Sequence, residues 1–336
     1  MYTVKAVVDG EEYTLHDSRV KELTLGGNPY FEVGDNINGS AEFSVFPTHP
    51  YYGKVKKLTT DIIFYRDGEP EFYGRVLYDD ETFSGTKKVF VEGELAFLCD
   101  SIQRPKVYHN ISVRDYVQDL IDIHNSQVEE RKQFVVGRVT VQDSNDSLYR
   151  YSNYENTREA FKEKLTSRLG GHLVIRHESE KRILDYLCDD DYYKENTQSI
   201  QFGKNLLDFS KNMNASDLAT CIIPLGAKLD EEDQDESLEA ISEQRITIAD
   251  VNGGVDYVTD DNAVKEYGKI YKTVIWDDVT QPENLMKHGR EYLKTVQFEK
   301  MVLEVKAIDL NLTDESFQTF QVGDKIQCVS APNGLD

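Results

Sequence analysis

The chain has 336 residues, 39% of them hydrophobic and 29% charged. That is a composition for folded domains rather than disorder, and a length that exceeds what one hydrophobic core usually fills. With 61 acidic against 38 basic residues the net charge is −23, a sign that repels nucleic acid and anionic lipid and excludes tight binding to either. No apolar run approaches the roughly 20 residues that span a bilayer as a helix. The first ten residues, Met1 to Gly10, read as a strand entering an Asp-Gly turn, not as a signal peptide, so synthesis in a cytoplasm is expected.

Residues 1–100 are strand-rich. Asp9-Gly10 and Asp67-Gly68 each divide alternating apolar runs, which is the strongest short-range hairpin signal. The second hairpin joins Ile62–Arg66 to Glu71–Tyr78, and a further strand covers Lys88–Gly93. Aromatic and β-branched residues dominate these arms, as half-buried pleated surfaces prefer. The expected first domain, 1–100, is a small β-barrel or sandwich.

The texture changes near Arg104-Pro105. Ser112 is placed to cap a helix with Asp115 three residues on, followed by a stripe of Val113, Tyr116, Val117, Leu120 and His124. A second helix starts at Asn156 with Glu159 as its capping partner. It carries Phe161, Leu165 and Leu169 on one face and stops at Gly170-Gly171. Strands His172–Arg176 and Arg182–Leu187 follow, so 101–200 is expected to be an α+β domain.

Strands return at Leu206–Phe209 and Ala219–Leu225, divided by the polar turn Asn212–Asp217. The acidic run Asp230–Glu236 reads as a solvated loop. Two helical segments come next, the second with Thr280-Gln281-Pro282-Glu283 as a capping box and Leu285, Gly289, Tyr292, Leu293 and Val296 along one side. Met301–Ala307 alternates with period two, and Val322–Val329 reads as a closing strand. Residues 201–228 plus 301–336 are therefore expected to form a second β-barrel, interrupted by a helix-containing insertion over 229–300. The final Pro332–Asp336 is a turn signal that suggests a fragment of something longer. No repeat of fixed period and no Pro-, Ser- or Gly-rich linker appears.

Candidate chemistry is sparse. Of seven histidines (His16, His49, His109, His124, His172, His177 and His288), only His172 and His177 lie close together, and on a strand that odd spacing sends them to opposite faces. His124 ends a helix, where its charge would suit the terminus. Cys99, Cys188, Cys221 and Cys328 have no C-x-x-C pairing and read as reduced, strand-embedded core residues. Cys221 sits in a buried-strand context and Cys188 precedes three aspartates, so neither suits a thiolate nucleophile. Paired carboxylates carry no specificity among 61 acids. No G-x-S-x-G elbow, Walker-type loop or G-x-G-x-x-G is present, and the acidic runs at 189–191 and 230–236 lack the glycine and spacing of an EF-hand. The 20 tyrosines read as barrel walls more than as a glycan-binding face. No catalytic, cofactor-binding or metal-binding residue is assigned, and no cofactor.

Several short stretches, taken in order, resemble one family. They are Thr48-His49-Pro50-Tyr51-Tyr52, Phe72–Val76, Glu92–Leu98, Leu169–Leu173, Asn205–Asp208 with Ile223–Gly226, Val322–Lys325 and Pro332–Leu335. Together they resemble the tail-hub proteins of long-tailed phages and prophages, named prophage endopeptidase tail proteins or tail-associated lysins, which are similar to the baseplate hub of contractile-tailed phages. The resemblance implies a β-rich α+β fold with two tube-like barrel domains. It implies a virion structural protein at the tail tip, a homotrimer whose six barrels form a pseudo-six-fold ring through which DNA passes without specific binding. Its implied neighbours are a distal tail ring protein and a tape measure protein. Lytic activity in such proteins belongs to domains that follow the hub region, so this chain is expected not to be an enzyme. A peptidoglycan hydrolase of the tail tip and a host receptor-binding module are the alternatives.

Overall fold

The computed structural model describes residues 1–143, 148–179, 181–229, 244–297 and 300–330. The chain is a β-rich α+β protein that divides into two compact units, Met1–Thr197 with Phe320–Ile326, and Gln198–Thr319 with the residues from Gln327 onward.

The first unit begins with one seven-stranded antiparallel sheet. Its strands are β1 (Tyr2–Val8), β2 (Glu11–Asp17), β3 (Gly26–Glu32), β4 (Ser40–Val45), β5 (Asp61–Arg66), β6 (Glu69–Glu81) and β7 (Lys87–Gly93), in the order β2-β1-β5-β6-β7-β4-β3. Both Asp-Gly turns form as the sequence predicts. Asp9 and Gly10 have φ of 53° and 81°, and Asp67 and Gly68 have 51° and 91°. Positive φ at both central residues is what matches a tight turn to the right-handed strand twist. The sheet curls over Phe43, Ile62, Phe64, Phe72 and Val91. It is an open, half-barrel sheet, with β2 and β3 as its two edges.

The α+β layer follows. Ser112 caps α1 (Val113–Asn125) by accepting from the Asp115 amide, and the expected stripe is buried with Ile121 added. Asn156 and Glu159 form the reciprocal capping box of α2 (Thr157–Phe161), which runs through a π turn over Lys162–Thr166 into α3 (Ser167–Leu169). Gly170, at φ 70°, ends it. Around these helices stand β8 (Lys106–Ile111) paired with β10 (Leu148–Ser152), and β9 (Val135–Val139), β11 (His172–Glu178) and β12 (Lys181–Leu187) in the order β11-β12-β9. Tyr116, Leu120, Phe134, Phe161 and Tyr186 fill the shared core. The short α4 (Asp189–Tyr192) leads to β13 (Lys194–Glu195).

In the second unit, β15 (Leu206–Asn214) pairs antiparallel with β19 (Lys300–Ala307), the late strand expected to share its sheet. Asn212–Asn214, expected to open a polar turn, instead extend β15, because their backbone is paired with Lys300–Val302. β16 (Cys221–Leu225) instead joins β17 (Val258–Thr259) and β18 (Tyr271–Ile275). The segment expected to be a helical insertion thus contributes two strands as well as α5 (Asp261–Tyr267) and α6 (Pro282–Val296). α6 lies against β16, where a Cβ on Gly289 would stand 3.1 Å from the Pro224 ring. Leu285, Leu293 and Val296 pack there with Ile222, Val258 and Trp276.

Three further expectations about the fold need correction. The Thr280–Glu283 capping box does not form: Gln281 is the N-cap with no side-chain bond, and Pro282 opens the helix. Proline at the first position has no amide to satisfy and its φ is already helical, so the start needs no box. Val322–Val329 is not one strand but two of two residues, β20 (Asp324–Lys325) pairing β13 and β21 (Cys328–Val329) pairing β14 (Ile200–Gln201). The cysteines are free, but only Cys221 is buried; Cys99 is exposed in a 3-10 turn over Glu94–Asp100. The runs at 230–236 and 332–336 lie outside the described residues.

Candidate functional site

The densest polar chemistry lies inside the first unit, between the half-barrel sheet and the α+β layer. Glu94, at the start of the 3-10 turn after β7, is 6% exposed. Arg182 on β12 reaches it at 2.5 Å and His177 on β11 at 3.0 Å. Burial opposes its ionisation, yet these partners hold its carboxyl below the usual range. His177 also stacks on Tyr73 of β6, with ring centroids 3.8 Å apart. Burial pushes the Tyr73 hydroxyl up to about 12. Nearby, Arg131 bonds Asp61 at 2.9 Å.

A second cluster centres on Arg75 of β6. It bonds Glu92 at 2.6 Å and grips Asp100 with two nitrogens, while Lys132 reaches Asp100 at 3.0 Å. Burial works against the guanidinium charge, but the bonds to Asp100 and Glu92 more than reverse it and raise its pKa. Each cluster couples a sheet residue to a helix or turn residue. That arrangement fixes two layers in register.

The loop between β3 and β4 forms a third junction. The Asn36 side-chain amide donates to the Gly171 carbonyl at 2.9 Å and accepts from the Leu173 amide at 3.0 Å. His172 lies between Asp35 at 2.8 Å and Asp189 at 3.1 Å, its ring stacked on Tyr192. Arg158 holds the Asn38 side chain and the Asn36 carbonyl.

The remaining sequence candidates are scattered. His172 and His177 stand in these separate environments. His124 is fully buried, with its ring nitrogens on Ser101 Oγ at 2.7 Å and the Lys132 carbonyl at 3.1 Å. Burial lowers its pKa, so the expected helix-end charge is corrected to a neutral ring: desolvation outweighs the helix dipole. His49 is likewise buried, against the Leu15 carbonyl at 2.9 Å. The Cys221 thiol meets Thr259 Oγ1 at 3.5 Å, and the Cys188 thiol faces Asp191 at 3.4 Å. Among the described residues no three His, Cys, Asp or Glu side chains gather as a metal-binding group, and no helix is long and apolar enough to cross a membrane. The sequence reading missed the interlayer clusters because their members are 25 to 137 residues apart in pairs such as Arg75–Asp100 and Asp35–His172.

The architecture has known counterparts. Residues 194–336 match the family described as prophage endopeptidase tail. The chain is similar to prophage tail proteins. The tail protein from Neisseria meningitidis MC58 superposes with a TM-score of 0.64 at 12% identity, over 100% of this chain and 88% of that one. The prophage MuSo2 43 kDa tail protein from Shewanella oneidensis gives 0.61 at 14%, over 99% and 90%. Prophage tail protein gp18 from Listeria monocytogenes EGD-e gives 0.58 at 14%, over 99% and 86%. At such identities the likeness is one of fold. No curated protein sequence matches the chain.

Proposed function

We propose that the chain is a structural hub of a phage or prophage tail tip. Three copies form a pseudo-six-fold ring, each giving two tube-like β domains, and DNA passes through the bore. The observation that carries this reading is the family match over 194–336 combined with tail-protein fold likeness over essentially the whole chain. Two physical features support it. A net charge of −23 suits a passage that must not trap DNA. The β15–β19 ribbon is two-stranded among the described residues, with Leu207 66% exposed. Such a ribbon is marginal alone in water and gains from further strands or a packed face. A ring protein of this kind works in the virion beside a distal tail ring protein and a tape measure protein.

The reading assigns no catalytic role to this chain. Native mass spectrometry and electron microscopy of the purified protein at high concentration test it, with threefold rings as the expected result. A strictly monomeric chain that digests purified peptidoglycan overturns it in favour of a tail-tip hydrolase.

A further inference from the structure

The cleft beside β11 is built to receive backbone. β11 is an edge strand, since the sheet order is β11-β12-β9. In the antiparallel pairing of β11 with β12, Leu173 stands opposite Tyr186, Ile175 opposite Leu184 and His177 opposite Arg182. Residues in such a ladder alternate between bonding the neighbouring strand and facing away from it. The Leu173 amide bonds Asn36 Oδ1, so it faces away. By the same alternation the N–H and C=O groups of Ile175 and His177 also face away from β12. Among the described residues Asn36 occupies only the first position on this edge. Its amide takes the Leu173 N–H and the Gly171 C=O, the pair that flanks His172, as one residue of an added parallel strand would.

Beyond Asn36 the edge opens into a cleft of about 390 Å³. Leu173 to Ile175 form one wall, with Ile37, Phe72 and Val322 on the others, and Glu71, Glu94, Arg176 and His177 line it as well. Ile37 is 42% exposed and Val322 46%, so among the described residues this part of the rim is unfilled. From Leu173 to His177 the edge runs roughly 13 Å at ~3.3 Å per residue. That is room for about four residues of extended chain.

We infer that this cleft binds an extended segment of a partner polypeptide, which continues the β9-β12-β11 sheet and places alternate apolar side chains against Ile37, Phe72 and Val322. The partner's class follows from the donors and acceptors. A row of backbone groups spaced for a strand, already begun by one side-chain amide, matches another backbone, and Ile37, Phe72 and Val322 favour apolar side chains at alternate positions. The inference does not rest on the ring proposed above.

The test uses the full chain as bait for a displayed library of random linear peptides, followed by synthesis of the best binder. The plain peptide is expected to slow hydrogen exchange at the Ile175 and His177 amides. Its affinity should fall at least tenfold when alternate peptide amides facing β11 are N-methylated. Ile175→Pro should cause a similar loss, because proline removes the outward N–H yet is tolerated on an edge strand. Should that variant misfold, the N-methylated peptide decides alone. A library that yields no binder protecting those amides overturns the inference. So does a binder indifferent to both changes, or protection of the same amides by self-association of the free chain.

Discussion

The two units solve the problem of a β-rich fold differently. The first places a continuous seven-stranded sheet against an α+β layer and locks them with charged groups that leave water in pairs, such as Glu94 with Arg182 and Arg75 with Asp100. The second has sheets of two and three strands among its described residues, and one apolar cluster around α6 and β16. A large sheet buries side chains along its whole face, whereas a two-stranded ribbon leaves much of its surface to water. The contrast assigns the rigid frame to the first unit and leaves the second with more to gain from neighbours.

The largest expected effect tests the charged lock. Glu94→Ala leaves Arg182 and His177 facing an empty site and should cost about 3–5 kcal/mol, read from denaturant unfolding of the first unit. An unchanged midpoint would mean the cluster is ornamental. The next compares the cores directly. Leu120→Ala and Leu285→Ala each remove a fully buried side chain and should cost roughly 2–5 kcal/mol. In calorimetry each variant should lower a different transition, and a single transition lowered equally by both would erase the distinction between units. Ser112→Ala removes the acceptor for the Asp115 amide at the start of α1 and should cost about 1 kcal/mol, with Ser112→Asp restoring it.

The smallest effect concerns Asp17, whose carboxyl is held down to about 2, first by the Arg19 side-chain bonds and then by the Arg19 amide. A carboxyl depressed on folding contributes stability above its unfolded pKa, near 3.9, and loses it as pH falls through about 2. An NMR titration should place the Asp17 midpoint near 2, and Arg19→Gln should move it up toward the ordinary range. Because Arg19 is exposed, the gain in stability is small and salt-sensitive.

Much of the fold was legible locally. The Asp-Gly turns, the Ser112 and Asn156 caps, the α1 stripe and the strand β19 all follow from residues within a few positions or from strict alternation. The β16 sheet was not. Its strands β17 and β18 are two and five residues long and lie in a segment whose helices dominate the pattern. His124 was misjudged because helix position gives the dipole, but only burial gives the desolvation that overrides it.

By itself the sequence determined where the chain turns, which helix faces are apolar, the acidic balance and the likeness to a tail family. Each of these is a property of neighbours in sequence or of sums over it. Only the tertiary structure decided that Glu94 would meet Arg182, that Asn36 would stand in for a strand, and that β11 would be an edge strand beside a cleft. Those contacts join residues 88 and 137 positions apart, as in Glu94–Arg182 and Asn36–Leu173. The packing of layers brings them together, and no local preference encodes it.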